Sequence, residues 1–352
     1  MPFEIVRNDI TRVRADAIVN TANPDPVIGA GTDAAIHRAA GKQLLEARKK
    51  IGTIDPGCAA ITPAYRLPAR YVIHTVGPVW QGGNSGEQEL LRRCYRNALD
   101  LAMEFGCESI AFPLLSAGFY GFPNDLALQI AREEFSEFLL HHEMTVTLVV
   151  FSREAFRLSE SLHRNIKSYI DEHYVAEVLR EDRETLYSCR ESICLSQDEA
   201  PRAQRLSRRR NPAEVSPFPA PAPKHSTSAR ETLENILNHT DAGFSETLLG
   251  LIDKTGKKDS EIYKKANITK QHFSKIRNNP HYKPTKATAV AFALALELDL
   301  EQTNDLIGRA GYVLTGSSKF DLIIMYFIRE RNYNVVDINM ALYEFDQSLL
   351  GA

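Results

Sequence analysis

Between Asp16 and Gly41 the chain reads DAIVNTANPDPVIGAGTDAAIHRAAG: an apolar run, a cluster of turn residues, then a helical pattern. Ala17, Ile18 and Val19 form a continuous apolar run, which suits a strand covered on both faces. Asn20 and Asn23 follow, then Pro24, Asp25, Pro26, Gly29 and Gly31. A helix is expected from about Asp33 to Ala40, with Gly41 as its C′ residue. A strand, a glycine-bearing loop and a helix N-terminus together present free backbone N–H groups, and the helix dipole adds about half a positive charge there. Gly29 and Gly31 would let the backbone approach a phosphate closely. An ordinary strand-to-helix turn is the other reading of the same spacing. The GxG is too short for a dinucleotide fingerprint, and no GKS or GKT follows, which excludes a Walker loop.

The pattern around this stretch is a strand–helix alternation running from Phe3 to about Ile170. Strand-like runs are Phe3–Val6, Ala17–Asn20, Cys58–Thr62, Tyr71–Val76, Ser109–Leu115 and Val146–Phe151. Helical patterns are Asp33–Ala40, Lys42–Lys50, Glu87–Phe105, Asn124–His141 and Arg153–Tyr169. Such alternation predicts an α/β fold: a mostly parallel sheet covered on both faces, with ligands beyond the carboxyl ends of its strands. The informative positions are then Asn20–Gly31, Gly77–Gly83, Ser116–Phe122 and Ser152. In the third of these, SAGFYGFP, Gly118 and Gly121 permit positive φ, Ser116 offers a hydroxyl, and Asn124 could cap the next helix. Phe119, Tyr120 and Phe122 either fold back onto the core or lie over a sugar. His37 and His74 read as packed, hydrogen-bonded side chains, and no spacing suggests a metal site.

Length and composition set the outer bounds. At 352 residues the expectation is about two domains. The 43% hydrophobic and 25% charged content is that of a globular protein. No apolar run reaches the roughly 18 residues of a membrane span, and Met1–Asn8 is too polar for a signal peptide, so no membrane partner is expected. Five cysteines without CxxC spacing read as reduced thiols in a cytoplasmic protein.

Five segments, in this order, resemble the macrodomain family: Asn8–Thr11 (NDIT), Asp16–Asn23, Gly29–Gly41, Val72–Pro78 (VIHTVGP) and Phe112–Pro123 (FPLLSAGFYGFP). They span roughly half the chain. The resemblance implies a three-layer α/β/α fold with a mixed sheet, and a pocket for ADP-ribose with no cofactor. It implies that Asp9, with Ile10 beside it, meets the adenine and that Phe151 stacks on it. Gly29, Ala30, Gly31 and Thr32 would grip the diphosphate from one side, and Ser116, Ala117, Gly118, Phe119, Tyr120 and Gly121 from the other. Asn20 would be structural, while Asn23 and Tyr120 would flank the distal ribose.

Asp33 lies ten residues after Asn23, as does the carboxylate of the family's hydrolytic, MacroD-like branch. An Asp in a first helical turn contributes up to about 1 kcal/mol without any ligand. Roughly 6 Å from a phosphate, however, it would repel that group by about 3 kcal/mol at an effective dielectric near 20. The resemblance therefore implies catalysis: Asn23, Asp33 and Tyr120 acting on an ADP-ribosylated protein, with Asp33 orienting or deprotonating a water at C1″ of the distal ribose. O-acetyl-ADP-ribose deacetylation and non-catalytic sensing of ADP-ribose are the rivals. The branch carries four consecutive glycines where this chain has Ile28-Gly29-Ala30-Gly31, and Thr32 replaces its Val. Ala30 tolerates positive φ poorly, so a different loop path is expected.

Residues 1–172 are thus expected to form the macrodomain, 173–230 a helical extension and an Arg- and Pro-rich linker, and 231–352 a separate all-α domain. Lys257–Asn279 resembles the two-helix core of Cro/lambda-repressor-type helix-turn-helix domains. From Lys254 to Lys286 there are ten Lys or Arg against two Asp or Glu, in a chain of formal net charge −3. The implied recognition helix would direct Lys270, Gln271, Ser274, Lys275 and Arg277 at duplex DNA. A helical protein-interaction module with a solvated basic face fits the same pattern.

Overall fold

The computed structural model describes residues 3–151, 162–173 and 242–351. The expected linker, Ser152 and the first part of the Arg153–Tyr169 helix lie outside the described residues. Six strands, β1 (Phe3–Arg7), β2 (Ala17–Thr21), β3 (Ala59–Pro63), β4 (Tyr71–Thr75), β5 (Ser109–Pro113) and β6 (Thr145–Val150), form one sheet. Its order is β1-β6-β5-β2-β4-β3, with every pair parallel except β3 against β4.

The continuous apolar runs divide by parity between two cores, because successive strand side chains point to opposite faces. Ile18, Val72, Ala111 and Val149 face α1 (Thr32–Ala40) and α2 (Lys42–Ile51), which supply Ile36, Ala40 and Leu44. Ala17, Val19, Phe112 and Leu148 face the other way, against Tyr95 and Leu99 of α3 (Glu87–Glu104) and Phe135 of α4 (Asn124–His141). This is the expected three-layer arrangement. One cap differs from expectation: Asn124 is the first helical residue rather than the cap of α4, and Pro123 precedes it with no side-chain hydrogen bond.

The remaining helices are 162–173 (α5), α6 (Phe244–Thr255), α7 (Asp259–Lys265), α8 (Lys270–Asn278), α9 (Lys286–Ala295), α10 (Leu300–Gly308), α11 (Lys319–Arg329) and α12 (Val335–Glu344). Thr269, Thr285, Asp299 and Ser318 each cap the following helix with a side-chain oxygen. The cap position of α6 is Gly243, and Ser245 in its first turn is buried. Leu248, Ile252, Phe292, Leu322 and Phe327 form the centre of a third core. Ile166 and Ile170 of α5 join this core rather than the sheet's, so α5 packs with the helices that follow it in sequence.

The two parts share a wall. α12 gives Val336 and Met340 to the sheet core, and Val335, Ile338 and Leu342 to the helical one. At the sheet edge Asn267, with φ 59°, takes the place of a missing strand: its Oδ1 accepts from Phe3 N at 2.5 Å and its Nδ2 donates to Phe3 O at 3.1 Å. The same amide nitrogen also reaches Leu350 O at 3.1 Å. Tyr263 donates to Glu143 at 2.7 Å, and Arg132 pairs with Asp337 at 3.2 Å. The first pairing satisfies backbone groups of β1 that would otherwise be buried without partners. Asn267→Ala removes all three bonds and places Ala at a positive φ, so unfolding in urea should show a loss of at least about 2 kcal/mol.

Candidate active site

The cleft lies where the sheet changes direction. β2 and β5 are neighbours, yet they pair only at Ala17–Ile110 and Ile18–Ala111, whereas β2 and β4 pair over five positions through Thr21–Thr75. Beyond Ile18 the two strands separate, and the crevice between their carboxyl ends holds a cavity of about 170 Å³. A switch point of this kind is where open α/β sheets take their ligands. One wall is the loop ending in Gly29, Ala30, Gly31 and Thr32 with Asn23; the other is Ser116, Gly118, Phe119 and Tyr120.

The first wall is held from below. Asp33, only 2% exposed, accepts from Asn20 Nδ2 at 2.6 Å through Oδ1 and from the Gly29 backbone N–H at 2.5 Å through Oδ2. His37 Nε2 stands 3.5 Å from Oδ1. The fit around Gly29 is close, since a Cβ there would come within 2.9 Å of Asn23 Nδ2 and 3.3 Å of Asp33 Oδ2. Gly31, at φ 60°, ends the loop and precedes α1 without a side-chain cap, so the first N–H groups of that helix have no side-chain partner there. Ala30 is not at positive φ, so the loop needs no glycine there.

Beneath lies a buried polar chain. Asn20 Nδ2 also meets His74 Nδ1 at 3.2 Å, and His74 Nε2 meets Thr62 Oγ1 at 2.9 Å. Both distances are satisfied by a neutral His74 that accepts through Nδ1 and donates through Nε2. Burial is the main cause holding its pKa down at about 3, with the charge of Arg48 adding to it. Burial likewise lowers His37, against the opposing pull of Asp33. His74 is thus packed and hydrogen-bonded, as expected; His37 is packed and faces Asp33 through Nε2, but its buried Nδ1 has no hydrogen-bond partner among the described residues.

In the second wall Ser116 itself takes the left-handed conformation, at φ 59°, rather than Gly118. Its Oγ is buried and has no partner among the described residues, and a Cβ on Gly77 would lie 2.0 Å from it. A strained serine with an unsatisfied hydroxyl beside a cleft fits a ligand that completes it. Tyr120 donates to Asn23 Oδ1 at 3.3 Å, linking the two walls. Burial, followed by the nearby Asp33 charge, raises its phenol above the ordinary range. Phe119 is 93% exposed at the rim.

Asn23, Asp33, Tyr120, Gly29, Ala30, Gly31, Thr32, Ser116, Gly118 and Phe119 therefore line one cavity. Asp9, Ile10, Ala117, Gly121 and Phe151 do not. Ile10 buries its side chain with Ile18 and Ile36 beneath α1, so only its backbone is left for a ligand. Ala117 packs against the sheet core. Asp9 and Phe151 follow the adjacent strands β1 and β6, whose ends are joined where Asn8 N donates to Val150 O at 3.2 Å. Asp9 Oδ1 accepts from Thr11 Oγ1 at 2.7 Å and Thr11 N at 2.9 Å, which holds its carboxyl below the usual range. Phe151 is 79% exposed.

Among known proteins, the Macro domain family profile matches residues 19–131. A macro domain-containing protein of Methanosarcina mazei is 50% identical over 155 residues, 44% of this chain and 83% of its own length.

This chain belongs to the macro domain family.

A Citrobacter rodentium protein named O-acetyl-ADP-ribose deacetylase is 48% identical over 166 residues, 46% of this chain and 94% of its own length. The solved Oceanobacillus iheyensis macrodomain with ADP is 40% identical, covering 44% of this chain and 85% of that one, at a TM-score of 0.42.

Two supports of the macro domain cleft escaped the sequence reading. Arg48 of α2 is buried and donates to Asn23 O at 3.1 Å, to Pro24 O at 2.8 Å and to Gly52 O, clamping the loop behind Asn23. Glu87 accepts from the N–H groups of Gln81 and Gly83 at 3.0 Å and of Ser85 at 2.7 Å. That loop carries Trp80, whose N–H donates to Tyr120 O at 2.9 Å and whose ring meets Phe122 at 4.6 Å. Both residues sit in amphipathic helical patterns where a charge reads as solvated, so no sequence signal marked them.

The buried His74 makes stability depend on pH. Its folded pKa of about 3 lies below an unfolded value near 6.5, so the unfolded chain binds more protons between them. This stabilisation is complete above about pH 6.5 and is lost as pH falls toward 3, at up to about 1.4 kcal/mol per unit. Urea midpoints between pH 7.5 and 5 should show that slope in the wild type and a shallower one in His74→Gln.

Proposed function

We propose that the cleft binds ADP-ribose and hydrolyses mono-ADP-ribose from modified proteins. What carries this reading is the convergence of the Asn23 amide, the Tyr120 hydroxyl and the Asp33 carboxylate between two backbone-rich loops at the sheet's switch point. The uncapped start of α1 suits a diphosphate, and the free Ser116 hydroxyl adds a donor opposite it. Asp9 and Phe151, adjacent at the β1–β6 end, would receive the adenine, leaving the distal ribose beside Asn23 and Tyr120. Water attacks C1″ there, releasing ADP-ribose and the free protein side chain. Asp33 acts first by fixing Gly29 and then as the negative charge that orients the water. Apo geometry of a catalytic group commonly tightens when the substrate arrives.

Deacetylation of O-acetyl-ADP-ribose in the same cleft is the second reading. It is favoured by the relative of that name, most of whose length this chain matches. Calorimetry with ADP-ribose, and turnover assays with a mono-ADP-ribosylated protein and with O-acetyl-ADP-ribose, separate the possibilities. Asn23→Ala should lower kcat by about 10-fold or more while affinity changes little, since the amide faces the reacting sugar. Asp33→Ala should impair both, because the Gly29 loop loses its anchor. Uptake of ADP-ribose without turnover of either substrate would leave a sensor, not an enzyme. No uptake at millimolar ADP-ribose overturns the whole reading.

For the helical part we propose contact with duplex DNA through α8. Its Lys270, Gln271, Ser274, Lys275 and Arg277 are all exposed, while Phe273 and Ile276 face the core. Arg277 also pairs with Asp259, which suits a backbone-positioning role more than base readout. In gel shifts with the full chain, affinity should fall steeply between about 50 and 200 mM salt, and Lys270→Ala and Lys275→Ala should weaken it. Absence of a shift at low salt removes this reading and leaves a protein-interaction module.

A further inference from the structure

A second and larger cavity, about 330 Å³, lies between α4 and the helical part, away from the cleft. Leu139 and Leu140 of α4 and Val335 of α12 supply apolar walls; Lys264 and Lys265 of α7 and Arg331 supply charge. The volume is at the lower end of small-molecule sites, and apolar walls with a few converging polar groups are their usual lining.

The charges do not balance within it. Lys265 pairs with Glu297, the single carboxylate of the lining. Lys264 acts on Glu143 at longer range, but that carboxylate already accepts the Tyr263 hydroxyl. Arg331 has no ion pair or side-chain hydrogen bond among the described residues, although its backbone is held at φ 53° by the turn after α11. Ser136 Oγ, at the same cavity, is buried without a partner among the described residues. Three cations against one carboxylate, over apolar walls, with an unsatisfied hydroxyl, match an amphipathic anion.

We propose that this cavity binds a small aryl acid, a carboxylate, sulfonate or phosphate on an aromatic body. The ring lies against Leu139, Leu140 and Val335, and the acid group meets Arg331 and Lys264. A ligand here would touch α4 under the sheet, the end of α7 and the start of α12, so it would brace the wall shared by the two parts. The proposal does not depend on what the first cleft binds.

The test uses the full chain and anilinonaphthalene sulfonate, an aryl anion whose fluorescence rises on leaving water. One saturable site is expected. Arg331→Gln and Leu140→Glu, both at exposed positions, should each weaken it at least about five-fold, the first by removing a charge-assisted hydrogen bond and the second by adding repulsion. Cooperative thermal unfolding of each variant shows that the probe reports a folded protein. Millimolar ADP-ribose should leave the signal unchanged. Displacement by ADP-ribose, or wild-type affinity in both variants, overturns the proposal.

Discussion

The carboxylate of Asp33 is the point on which the cleft depends. One oxygen accepts from Asn20 on β2 and the other from the backbone of Gly29, so a single buried charge ties strand, loop and helix together. A charged group this deep is tolerated only where donors replace its water, and Asn20 and Gly29 do so here, with His37 Nε2 facing the same carboxylate at 3.5 Å. The partners are in turn constrained. Asn20 spends its amide hydrogens on Asp33 and His74, which sets the His74 tautomer, and Thr62 closes the chain. Asn20 Oδ1 and His37 Nδ1 are left without partners among the described residues, and the bonds that are made tie the Gly29 loop to β2 through Asp33.

Above that network the opening is a consequence of sheet topology. β2 turns toward β4 and β3 on one side, while β5 and β6 continue on the other, and the ladder between β2 and β5 ends early. The separated strand ends leave backbone and small side chains facing each other across a narrow space. Gly29 and Gly77 are needed for contact distance, not for torsion: a side chain at either would strike Asn23 or Ser116. The strain that is present falls on Ser116, next to an unsatisfied hydroxyl.

Much of this was legible beforehand, for identifiable reasons. Apolar runs and turn residues located every strand, because period-two burial and glycine punctuation are local properties. Asn23, Asp33 and Tyr120 stand in motifs readable along the chain, and the fold brings all three to one cavity. The misreadings were local choices settled by packing. Asn124 lost the cap position to Pro123 and became the first residue of α4. Ile166 lies in the expected Arg153–Tyr169 helix, but helical spacing carries no indication of which core a residue will enter.

The sequence by itself determined the alternation of strands and helices, the two glycine-bearing loops and the chemical groups they carry, since each depends on residues near one another in the chain. Only the tertiary structure decided that Asp33 would be pinned beneath Gly29 and that Arg48 and Glu87 would brace the two walls. It also decided that Asn267 would complete the sheet edge some 264 positions from Phe3. Those are pairings between distant residues, and a charge or an amide in an amphipathic pattern carries no mark of the partner it will meet once both have lost their water.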